Sequence, residues 1–129
     1  HDVLEDTETT LREIEIEFGG ISDIIDRVTD GLGSNRMERH LNTYYRTRRN
    51  PAAIFVKLCD RWHNHSRTIE KWEKDHEESK FGKIYAKEYL YFKFALYTPD
   101  QFHDFWLQLD EQYKKLKDMS YGKDKVLSR

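Results

Sequence analysis

Apolar residues recur along the chain at intervals of three and four and almost nowhere at two, so the pattern predicts helices throughout and no sheet. Thr10 and Glu13 make a capping-box pair ahead of Leu11, Ile14 and Phe18, and Gly19 and Gly20 close a short helix over about 10 to 18. Ile21, Ile24, Ile25, Val28 and Leu32 form one stripe of a second helix that stops near Gly31 and Gly33. Asn35 with Glu38 caps a third, striped by Met37, Leu41, Tyr44 and Tyr45. Asn50-Pro51 opens a long fourth helix that runs to about residue 77, because proline at the first helical position loses no hydrogen bond. Its stripe is Ile54, Leu58, Trp62, Ile69 and Trp72, widened by Phe55 and by Cys59, read here as a small core residue. Two further helices are expected over about 79 to 97 and 99 to 118, the last opened by "TPDQ" at Thr98 to Gln101. The segment 119–129 carries no stripe and is expected to be a loose tail.

Composition narrows the class without changing that picture. A chain of 129 residues, 37% hydrophobic, buries one core and has no room for a second sizeable domain. With 22 basic and 24 acidic residues interspersed, the formal charge of −2 gives no reason to expect a nucleic acid or an anionic membrane as partner. No apolar run is long enough to span a bilayer. The single cysteine excludes an internal disulfide framework and fits a reducing compartment, taken here as the cytoplasm. The chain opens at His1 rather than at methionine, so it is expected to be incomplete at its amino terminus.

Two stretches carry chemistry. In "HDVLEDT", His1 and Asp2 can ligate one divalent ion, and Glu5 and Asp6 follow one turn on if the stretch is helical. Carboxylates so placed can orient a bound water or take its proton. The plainer alternative is an acidic first turn favoured by the helix dipole. In "VKLCDRWHN", Asp60 sits on a helix that reads as buried nearly all round, where an unpaired carboxylate requires a partner or a metal. Asn64, at i+4, shares its face and could bond a phosphate or ribose oxygen; the alternative is an ion pair from Asp60 to Arg61 or a lysine, with Asn64 solvated. His63 and His65 point to different sides of the helix and read poorly as a metal pair. The basic cluster "YYRTRRN" over 44–50 could receive a phosphate but reads more simply as a solvated helix end.

"HDVLEDT…TLREIEIEFG" followed by "VKLCDRWHN" resembles the HD-domain hydrolases of the RelA/SpoT type, which remove the 3′-pyrophosphate from ppGpp, and most of all the small stand-alone alarmone hydrolases. The likeness runs from His1 to about Thr68, and more loosely through "KEYLYFKFAL". It implies an all-α HD-domain helical bundle of about six to seven helices over 1–118. It also implies manganese or another divalent metal held by His1, Asp2 and Asp60. Glu5 and Asp6 would then activate the water, and Asn64 and Tyr89 would contact a guanosine nucleotide substrate. It leaves a homo-oligomer open.

The chain departs from the family in three places. A further metal-ligating histidine belongs upstream of the HD pair, in the part expected to be missing before His1. The family's "HNxRT" reads "HNHSRT", one residue longer, which turns Arg67 and Thr68 by about 100° around the helix, so their roles do not carry over. Residues 31 to 50 match the family loosely, which leaves specificity open. Two alternatives therefore stand beside the alarmone hydrolase: another HD-superfamily nucleotide phosphohydrolase, and a non-catalytic HD-like module that binds a nucleotide or a protein.

Overall fold

A computed structural model describes residues 21–75 and 80–127, and the helix expected over 10 to 18 lies outside them. Among the described residues the chain is all-helical, with five helices and no strand, and no helix is long and apolar enough to cross a membrane. The helices are α1 (Ile21–Val28), α2 (Arg36–Thr47), α3 (Pro51–Asp75), α4 (Lys80–Leu96) and α5 (His103–Leu127). The chain divides into two compact units, His1–Lys57 and Leu58–Arg129.

In the first unit α1 packs on α2, burying Ile25, Val28 and Tyr44. Helix α1 ends four residues short of Leu32, which is exposed. The turn that follows is held tightly: the Gly31 amide donates to Thr43 Oγ1 at 2.7 Å, and a Cβ on Gly31 would meet the Asn42 Cβ at 2.8 Å. Asn35 caps α2 as expected, its side chain accepting from the Glu38 amide at 2.9 Å. The Glu38 carboxylate reaches one residue further back, accepting from the amide and the hydroxyl of Ser34 at 2.8 and 2.6 Å.

The buried face of α2 differs from the expected stripe. Met37, Leu41 and Tyr45 are exposed, and Thr43, Tyr44 and Thr47 are buried. The threonines can face inward because their hydroxyls bond to backbone: Thr43 Oγ1 donates to the Arg39 carbonyl at 2.8 Å, and Thr47 Oγ1 to the Arg27 carbonyl at 2.6 Å. Helix α3 starts at Pro51 as predicted, with Asn50 Oδ1 accepting from the Ala52 amide at 2.9 Å.

In the second unit α4 packs on α5. Tyr89, Phe92 and Leu96 meet Trp106 and Leu109 in an aromatic layer, with the Phe92 and Trp106 rings 5.7 Å apart. Ile69, Ala86 and Leu116 continue it, flanked by Tyr85, Tyr113 and Met119. Helix α5 begins at His103, four residues later than "TPDQ" suggests. Those four residues form a turn, the Gln101 amide donating to the Thr98 carbonyl at 3.3 Å, and Phe102 enters the helix with a left-handed φ of 57°. The helix then runs on to Leu127, through the stretch read as a loose tail.

Candidate active site

Helix α3 carries the motif, and its inward face is set by a repeat of four and three. Ile54, Leu58, Arg61, His65 and Ile69 are buried. Asp60 and Asn64 lie beside that face and are half-buried, while Cys59, Trp62 and Phe55 are exposed. Cys59 is therefore not a core residue, and the charged residues that α3 buries are Lys57 and Arg61 rather than Asp60. Arg61 Nη1 donates to Glu88 Oε1 at 2.9 Å, with side-chain exposures of 6% and 5%. Its guanidinium also lies over the Phe92 and Tyr85 rings, at 5.2 and 5.6 Å. A planar, weakly hydrated cation suits the negative faces of these rings, which would repel a carboxylate.

That pairing leaves no ion pair between Arg61 and Asp60. Arg61 is engaged with α4, and Asp60 has neither an ion pair nor a hydrogen bond among the described residues. Its carboxylate is available, partly solvated, and one helical turn from Asn64. Among the described residues no group of three His, Cys, Asp or Glu side chains could hold a metal ion, so Asp60 alone of the implied ligand set is placed. His1, Asp2, Glu5 and Asp6 lie outside the described residues.

The chain resembles known ppGpp hydrolases. It is 38% identical over 66 residues to the human guanosine-3′,5′-bis(diphosphate) 3′-pyrophosphohydrolase MESH1, a match covering 50% of this chain and 37% of the relative. The Xenopus tropicalis and Mus musculus proteins of the same name are 39% and 36% identical over the same length. The chain thus spans little more than a third of the length of these curated relatives. No family model matches the chain. No solved structure matches it.

Tyr89 is buried at the centre of the second unit, and its ring packs against those of His65, Phe92, Trp106 and Tyr113. Its hydroxyl donates to Asp110 Oδ1 at 2.5 Å, and Lys93 Nζ donates to the same carboxylate at 2.9 Å. Burial, reinforced by Asp110, pushes the phenol well above its ordinary pKa. The ring also lines a shallow groove of about 340 Å³ with Leu90, Lys93, Phe94 and Tyr97.

Sequence reasoning missed the state of His65. The ring is fully buried, and among the described residues neither nitrogen has a hydrogen-bond partner. Burial, with the Arg61 charge adding to it, lowers its pKa to about 3; Gln112 beside it and Glu88 act weakly the other way. Its apolar neighbours at i−7, i+4 and the turns between were the available signal, since His65 continues the Leu58 and Ile69 register. In "YYRTRRN", the Arg48 and Arg49 guanidinium groups lie over the exposed Tyr45 ring at 4.3 and 5.3 Å, and Arg46 donates to the Thr29 carbonyl at 2.6 Å.

Proposed function

We propose that this chain is part of a metal-dependent phosphohydrolase that removes the 3′-pyrophosphate from (p)ppGpp. The observation that carries the reading is the pairing of an uncommitted carboxylate, Asp60, with Asn64 one turn along α3, in a chain similar to MESH1 hydrolases over 66 residues. In this reading His1, Asp2 and Asp60 hold a divalent ion, manganese or another, which supplies a lowered water pKa near about 7. Glu5 and Asp6 orient the water and take its proton. The water oxygen bonds to the phosphorus joined to the ribose 3′-oxygen, the bond between them breaks, and the 3′-oxygen leaves with a proton. Asn64 holds the ribose or phosphate, and the Tyr89 ring lines the nucleoside side of the pocket.

The test is pyrophosphate release from ppGpp by the full-length protein with manganese, beside Asp60→Ala and Glu5→Ala. Both variants are expected to lose about 100-fold or more in rate. Release that survives both substitutions would sink the assignment. Nucleotide binding without release by the wild type would make the protein a binding module.

A further inference from the structure

The face of α3 that bears Asp60 and Asn64 does not end there. Arg67, Lys71 and Lys74 follow at spacings of three, four and three. At 100° per residue these five positions fall within an arc of about 80°, and at 1.5 Å per residue Arg67 stands about 10 Å along the axis from Asp60 and Lys71 about 16 Å. The three cations line one concavity of about 510 Å³, walled by Phe81 from α4 and flanked by Glu70 and Asp75. Among the described residues that line it, three cations stand with two carboxylates. Arg67 lies two turns before the end of α3, outside the reach of the helix's negative end.

We infer that Arg67 and Lys71 form a subsite for a second phosphate group, the 5′-diphosphate of a nucleotide whose ribose side is held at Asn64. The inference rests on the hydrolase reading only for where the nucleoside lies. A guanidinium presents a planar fork that fits phosphate oxygens in pairs, and Lys71 one turn on adds a point charge to the same group. The extra residue in "HNHSRT" acquires a consequence in this arrangement. Position 66, where the family places its arginine, is Ser66, which accepts from Gln112 Nε2 at 2.8 Å, and the arginine at 67 falls in line with Asp60 and Asn64 instead.

The experiment is titration of the full-length protein, with manganese, against GDP, guanosine and inorganic pyrophosphate, in wild type, Arg67→Lys and the double variant Arg67→Gln/Lys71→Gln. Both residues are exposed on a helix, where glutamine is a good helix former, so the variants keep the fold. The wild type is expected to bind GDP at least about tenfold more tightly than guanosine. The double variant should lose that preference with guanosine affinity unchanged, and Arg67→Lys should keep part of it. Equal affinity for GDP and guanosine in the wild type, a preference that survives in the double variant, or pyrophosphate binding as tight as that of GDP would each overturn the subsite. The readout does not need turnover, so absent pyrophosphate release would remove the hydrolase reading and leave this one to be decided by GDP.

Discussion

Arg61 and Glu88 form an ion pair of 2.9 Å between α3 and α4 with both side chains almost wholly buried. Removing one partner of such a pair strands the other charge in a low-dielectric interior, which destabilises by about 3 to 5 kcal/mol. Arg61→Met and Glu88→Gln are each expected to lower the free energy of unfolding in urea by that order. The double variant Arg61→Met/Glu88→Met should recover a substantial part of the loss. Single variants within about 0.5 kcal/mol of wild type would show that the pair does not hold the helices.

His65 gives the protein an acid sensitivity. Its pKa is about 3 when folded against an ordinary 6.5, so between those values the unfolded chain binds the extra proton. Stability from this residue is therefore complete above about pH 6.5 and is lost as pH falls towards 3, with a limiting slope of about 1.4 kcal/mol per pH unit. The groups around it are Arg61, Glu88, Tyr85, Tyr89 and Gln112. Unfolding midpoints measured between pH 7 and pH 4.5 should fall steeply in wild type and more gently in His65→Leu. Parallel curves would remove the assignment.

Tyr89→Phe deletes the hydroxyl that donates to Asp110 while keeping the ring in its aromatic layer. Asp110 retains Lys93, so the expected loss is about 1 to 2 kcal/mol rather than collapse of the unit. Thermal denaturation reads this directly. Under the proposed function the same variant keeps most of its affinity for nucleotide, because the ring remains in place.

Asn64→Ala separates binding from chemistry. Asn64 is half-buried on α3 and is proposed to hold the nucleotide rather than the reacting water. The variant should raise KM for ppGpp about tenfold or more with a smaller change in kcat. Chelation of divalent ions should abolish turnover of the wild type, and manganese should restore it. A variant that lowers kcat alone would move Asn64 from substrate binding to the chemical step.

Local signals were legible where one element supplies its own logic. The Asn35 cap and the Asn50-Pro51 start are short-range hydrogen bonds and a steric preference, and both stand in the structure as the residues predict. The start of α5 was misread for the converse reason: Thr98 has the right residue type, but its backbone is spent in a turn and the helix waits until His103.

The sequence by itself determined that the described chain is helical, where α2 and α3 begin, and that Asp60 and Asn64 share one face of a helix, because spacing along a chain is enough to establish each. Only the tertiary structure decided which face of α3 is buried. Trp62 and Cys59 look more suited to a core than Arg61 and His65, yet they are exposed. Arg61 goes inside because Glu88, 27 residues away, meets it there, and His65 goes inside because Tyr85 and Tyr89 pack around a ring that stays neutral. Burial of a polar group depends on its partner, and the partner comes from another helix.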